Sequence, residues 1–413
     1  MRFPFRSLRG RVKNRRCRSK LFGFCLLLAT ALPFNTADGQ DGASFRHRAF
    51  DWGFIQRLAG KWVFRHDTFG NEPFWTGQLR LHEVIQTAVD PLTALELGLK
   101  VDADRLPSGF LERADLSDPQ TTLALLRRNA VLGLKAKVTR NRKTGDLQIV
   151  RLGTTCALCH SVVDDSVAPG IGSRLDGWPN LDLNVGAIVA SSPAIDESTK
   201  KVFLSWGPGR YDPYFNQDGE SLPVVLPPAY GLQDVDSETF LGVGPVSYWN
   251  SYVAVTQMHG QGAFFEPALG LDIRARPDRV TPKLNVLLKY QLALKTPAPP
   301  AGSFVPAAAA RGEEIFMNKA NCATCHVPPT FTDAPALWDP EFIPTDPAYA
   351  LRPASITKKW RTTPLRGLWQ HAPYFHDGSA ETLEEVVETY DLWFELELTA
   401  EEKADLVQFL RSL

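Results

Sequence analysis

Cys322-Ala323-Thr324-Cys325-His326, with its earlier counterpart Cys156-Ala157-Leu158-Cys159-His160, sets the terms for the whole chain. Each pentapeptide is Cys-x-x-Cys-His, the attachment signature of c-type haem. Two thiols three positions apart can bond as thioethers to the two vinyl groups of one macrocycle. The adjacent histidine then falls under its face as an axial iron ligand. Zinc is the competing use of paired cysteines, but two pairs 166 residues apart, each followed by His, fit haem far better. Two covalent haem c groups are expected, with Cys156, Cys159, Cys322 and Cys325 as thioether donors and His160 and His326 as iron ligands.

Outward from the first pentapeptide, residues 121–132 are predicted to be helical. Residues 133–139 and 146–152 flank Asn141–Gly145 as a small hairpin that feeds into Cys156. Around the second, residues 308–318 are predicted to be a helix ending just before the cysteines, with Gly312 and Phe316 one turn apart on one face. Residues 400–412 form another, with Leu406, Leu410 and Leu413 on a stripe and Thr399-Ala400-Glu401-Glu402 as a capping box. Between the two haem regions, residues 284–294 have apolar residues at helical spacing. Residues 296–310 (TPAPPAGSFVPAAAA), with four prolines, read as a semi-stiff linker.

The N-terminus reads as an export signal. Residues 1–20 hold nine Lys/Arg and no acid, residues 21–32 (LFGFCLLLATAL) are apolar, and Ala37-Asp38-Gly39 offers small residues at a cleavage site. The run is short for a membrane span. Cleavage would remove Cys17 and Cys25, so every remaining cysteine would be a haem thiol. It would also leave 36 basic residues facing 45 acidic ones. That acidic balance argues against nucleic acid and fits a small basic electron carrier as donor. The expected chain is periplasmic and not integral to the membrane once the signal is cleaved. It comprises a signal (1–39), an N-terminal extension (40–118), a first haem domain (119–295), the linker (296–310) and a C-terminal cytochrome c domain (311–413). The expected fold class is mainly α, with two cytochrome c-like haem domains, loop-rich elaborations and little β.

Axial ligation decides what a c-type haem can do, because a strong sixth ligand closes the iron whereas an open site admits peroxide or oxygen. Candidate ligands are few: His47, His66, His82, His259, His371, His376, Met258 and Met317. Met317 is expected to pack in the core, and His47, His66 and His82 lie far upstream of both motifs.

The arrangement of residues 308–413 resembles the class I cytochrome c fold. Within it, residues 360–390 (WRTTPLRGLWQHAPYFHDGSAETLEEVVETY) resemble a signature of the bacterial dihaem cytochrome c peroxidase and MauG superfamily. The matching pieces are Thr363-Pro364-Leu365-Arg366, Ala372-Pro373-Tyr374-Phe375-His376-Asp377-Gly378 and Thr382-Leu383-Glu384-Glu385-Val386. The resemblance implies an oxidoreductase in which one haem relays electrons and the other activates peroxide or oxygen. It places the sixth ligand of the C-terminal haem at Tyr390, where peroxidases carry Met and MauG carries Tyr; His371 and His376 are competing ligands. It also implies a calcium ion between the haems, held by the Asn250 side chain and the carbonyls of His371 and Pro373.

The first haem region departs from that pattern. Aligning Trp249-Asn250 with the family's aromatic-Asn pair puts His259 near the bridging Trp position, as a bridge, a ligand or a donor to bound oxygen or peroxide. No Gln-Glu pair follows, and Asp176 stands where some peroxidases carry a distal histidine. Arg174, in a Gly-rich loop, is a candidate partner for a haem propionate. Two alternatives stay open: an electron-transfer cytochrome with both irons six-coordinate, and an oxygenase like the longer rubber-cleaving dihaem enzymes.

Overall fold

Short helices carry this fold, and strands are confined to two-stranded ribbons in the computed structural model, which describes residues 51–413. The expected signal, with Cys17, Cys25 and His47, lies outside the described residues. Among the described residues, no helix is long and apolar enough to cross a membrane.

The predicted hairpin forms as strands Leu134–Arg140 and Leu147–Thr154, paired antiparallel with a register irregularity at Lys137/Val138. Asn141 makes the turn, its side chain accepting from the Lys143 amide and its backbone pairing with Asp146 and Gly145. The preceding helix, Pro119–Arg127, starts at Asp118, whose carboxylate caps the Gln120 amide. Leu123 and Leu126 of this helix are buried with Leu152 of the hairpin.

The C-terminal unit follows local signals closely. Helix Ala400–Ser412 begins in a complete capping box, Thr399 and Glu402 each bonding the other's backbone amide. Helix Pro306–Glu314 crosses it at Gly312, where a Cβ would stand 2.1 Å from the Asp405 carbonyl oxygen. A third helix, Leu383–Phe394, is capped by Thr382. Phe316, Val387, Leu406 and Phe409 fill the space between them. One expectation fails here: Met317 is 43% exposed, whereas Phe316 is buried. The helix widens into a π turn over Ile315–Lys319, which sends Phe316 inward and Met317 to the surface.

A third apolar cluster joins segments that are remote in sequence. Helix Trp52–His66 crosses Leu284–Gln291 so closely at Gly60 that a Cβ would collide with the Val286 carbonyl at 2.0 Å. Phe64, Tyr252 and Leu287 share this core with Tyr349 and Trp360. Arg352 fixes the same junction. Fully buried, it donates to Asp212 at 2.7 Å, to both oxygens of Asp218 at 2.8 Å, and to the Glu220 carbonyl at 2.8 Å. Its guanidinium lies against the rings of Tyr214 and Tyr349.

Candidate functional site

Both pentapeptides fold as single 3-10 turns, Cys156–Leu158 and Cys322–Thr324, followed directly by the histidine. The Nδ1 atoms of His160 and His326 each lie 3.1 Å from a carbonyl oxygen, that of Pro227 and that of Phe331 respectively. A carbonyl only accepts, so each Nδ1 carries the proton and each Nε2 keeps its lone pair for a metal. Desolvation lowers both imidazoles, His160 to about 4, which keeps them neutral. All four cysteines are free. Desolvation pushes Cys156 and Cys159 up to about 12 and Cys322 up to about 11. No group of three or more His, Cys, Asp or Glu among the described residues is arranged to hold a metal ion.

The two turns open onto one cavity of about 780 Å³, within the range of cofactor pockets. Its wall includes Trp75, Tyr211, Trp249, Val253, Gln257 and Met258 and, from the C-terminal region, Phe316, Trp360, Tyr374, Phe375, Tyr390 and Leu406. A mostly apolar hollow with a metal-ready imidazole and a thiol pair at each end fits a thioether-linked iron porphyrin.

Tyr390 lies on this wall, close enough to Cys322 and Cys325 that their charge would act on it, although burial is what chiefly raises its phenol. Its ring is stacked between Phe375 and Phe394. His371 is also on the wall; its Nε2 is buried without a hydrogen-bond partner, and desolvation lowers the ring to about 4. His376 is nearly fully buried beside Trp360, with Nδ1 held by the Thr345 hydroxyl at 2.9 Å. Asn250 shares the wall with His371 and Pro373, but its carboxamide is paired both ways with Gln291, at 2.7 and 3.1 Å.

Two candidates stand elsewhere. His259 is exposed, has φ 57°, and stacks on Phe74 with ring centroids 3.5 Å apart. Its neighbours Gln257 and Met258 face the cavity instead, because the helix Val246–Tyr252 ends in a π turn, Val253–Gln257. Arg174 is buried away from the wall, 3.5 Å from Asp102, with Nε and Nη1 unpartnered. Desolvation lowers its basicity more than the nearby acids restore it.

Other wall residues carried no signal specific enough to find them. Trp75 comes from the N-terminal extension and donates from Nε1 to the Met258 carbonyl at 3.1 Å. Tyr211 donates to Gln257 Oε1 at 2.6 Å.

A family model described as RoxA-like, cytochrome c-like matches residues 360–391. Over 132 residues the chain is 34% identical to methylamine utilization protein MauG of Methylorubrum extorquens, covering 27% of this chain and 36% of that protein. Over these stretches the chain is similar to the MauG and dihaem cytochrome c peroxidase superfamily. Similarity to these cytochrome c-like families implies covalently bound haem c and supports a c-type cytochrome oxidoreductase. The chain spans about a third of the length of the curated MauG it matches. Among solved structures, it is similar to Kuenenia stuttgartiensis hydrazine synthase, with TM-score 0.34 and 20% identity over 48% of this chain and 74% of that one. It is also similar to a MauG-like protein associated with microbial copper homeostasis, with TM-score 0.33 and 20% identity over 46% and 73%.

Proposed function

We propose that this chain is an exported, periplasmic oxidoreductase holding two haem c groups, one on each Cys-x-x-Cys-His turn. It would pass electrons from a small carrier protein to peroxide or oxygen. The observation that carries this reading is the pair of carbonyl-oriented imidazoles, His160 and His326, opening onto one shared apolar cavity. When bound, the haems supply one-electron redox chemistry and a metal site for a small oxidant. Cys156, Cys159, Cys322 and Cys325 would tether the macrocycles, and the carbonyls of Pro227 and Phe331 orient the His160 and His326 imidazoles that would hold the irons.

The two ends are proposed to differ. Tyr390 or His371 would close the iron beside His326. Beside His160, the Tyr211–Gln257 pair would offer hydrogen-bonding groups on the wall, which favours that end as the place where oxidant binds. Trp75 and Trp249 exclude water there. Asn250, with the carbonyls of His371 and Pro373, would hold calcium only after releasing Gln291. His259 and Arg174, both off the wall, would act through neighbours.

A second reading, electron transfer alone, is favoured by the unpartnered Nε2 of His371, which would offer an iron a strong ligand. Electron paramagnetic resonance of the ferric protein separates the two. A high-spin signal that responds to peroxide is expected. Purely low-spin spectra, indifferent to peroxide after partial reduction, would sink the enzyme reading. Tyr390→Phe is expected to shift the spectrum of one haem, and an unchanged spectrum leaves the ligation to His371 or His376.

A further inference from the structure

The cavity wall carries a buried carboxylate and a buried guanidinium that only half satisfy each other. Glu238 and Arg361, 9% and 8% exposed, both line the cavity. Glu238 Oε2 and Arg361 Nη1 are 3.7 Å apart, beyond a good hydrogen bond. Arg361 Nη1 donates instead to the Ser237 carbonyl at 2.9 Å. Arg361 Nε and Glu238 Oε1 are buried with no partner at all. Orphaned polar atoms of this kind are costly to bury, and more so when charged. A guanidinium with an open Nε has the fork that grips a carboxylate, and a haem brings two propionate carboxylates. Next to Arg361, the Thr362 carbonyl accepts from the Thr332 hydroxyl at 2.6 Å, one residue beyond the Phe331 carbonyl that orients His326, so the orphaned pair sits toward the C-terminal end of the cavity.

We propose that Arg361 anchors a carboxylate of the macrocycle held at His326, and that Glu238 is the internal competitor for it, taking up a proton as that end is reduced. The proposal rests on the haem reading above. Burial pushes Glu238 up to about 7, outweighing the nearby charges of Arg361 and Arg366. The groups facing it are Arg361 on strand Trp360–Arg361 and Arg366 in the following loop, itself under the influence of Asp234; Asp236 neighbours Glu238 in its own loop. Ionised Glu238 adds negative charge near the iron and favours the ferric state; protonated, it no longer does. One electron from an added one-electron reductant is balanced by one proton from solvent, bound on the Glu238 carboxylate. The reduction potential of that end therefore falls as pH rises through the titration of Glu238.

The test is spectroelectrochemical titration of the holoprotein from about pH 5 to about pH 9, a range that spans the titration of a raised carboxyl. Haem content is counted first as the pyridine haemochrome. Fewer than two haems would overturn the haem reading, whereas a full count leaves the present inference to stand or fall alone. In the wild type, one reduction wave should fall with rising pH; in Glu238→Gln it should be pH-independent, held at the wild type's low-pH value. Arg361→Gln should move the same wave down, through loss of a positive charge beside the iron. Equal pH slopes in wild type and Glu238→Gln would overturn the proposal. Should Glu238→Gln not fold, the redox-difference infrared spectrum of the wild type decides. Reduction must produce a protonated-carboxyl stretch that shifts in deuterium oxide, and its absence refutes the coupling.

Discussion

Replacing Arg352 with Met tests whether the junction between residues 212–220 and 345–360 depends on one buried cation. Arg352 and Asp212 have no side-chain exposure and Asp218 has 3%, so water cannot take over when the guanidinium goes. Methionine keeps much of the length and its contact with Tyr214 and Tyr349, but leaves two carboxylates uncompensated. Removing one partner of a buried pair costs about 3–5 kcal/mol, a large part of the roughly 5–15 kcal/mol available to a folded domain. Even the lower figure is roughly a hundredfold in the folding equilibrium. The loss should also depend on pH. Desolvation already raises Asp212 despite Arg352, while the hydrogen bonds from Arg352 hold Asp218 down. Without the arginine, burial raises Asp212 further above its unfolded value. A carboxyl raised in the folded state costs stability as pH climbs above the unfolded pKa of about 4, so the deficit is greatest at neutral pH and shrinks on acidification. Guanidinium unfolding of the holoprotein, followed by far-ultraviolet circular dichroism at about pH 7 and about pH 4.5, measures both effects. A neutral-pH loss below about 1 kcal/mol, or a deficit that does not shrink in acid, would refute the reasoning.

Two further outcomes follow from the geometry. Gly312→Ala gains about 1 kcal/mol of helix propensity but drives a Cβ into the Asp405 backbone, where overpacking costs about 1–3 kcal/mol; a lower unfolding midpoint is expected. Gly77→Ala, which meets nothing within 4 Å, serves as the neutral control. Cys322→Ser with Cys325→Ser should halve the covalent haem measured after acid extraction, as should Cys156→Ser with Cys159→Ser; an undiminished haem content in either pair rules out attachment there.

What could be read from the sequence was local. The capping box at Thr399, the turn at Asn141 and the close crossing at Gly312 depend on residues within a few positions or on one small side chain, and each is found where expected. The carboxyl-terminal signature likewise brought Tyr390, His371 and His376 to one wall. The remainder depends on contacts between distant segments. Trp75 reaches Met258 across 183 positions, and Arg352 reaches Asp212 across 140. No period or motif records such pairings. His259 illustrates a different limit. Aligning Trp249-Asn250 with the family's aromatic-Asn pair puts it near the bridging position, but the chain passes through a π turn at Val253–Gln257, and Gln257 and Met258 line the cavity instead.

The single hollow between the two attachment turns has a bearing on maturation. Its lining comes from as far apart as Trp75 and Leu410, so both halves of the chain share the space the macrocycles would fill. On the two-haem reading, each macrocycle attached supplies wall for the other and pre-orders the side chains that the second must meet. Loading would then be cooperative, and half-loaded chains would be the species most exposed to proteolysis in the compartment where attachment takes place.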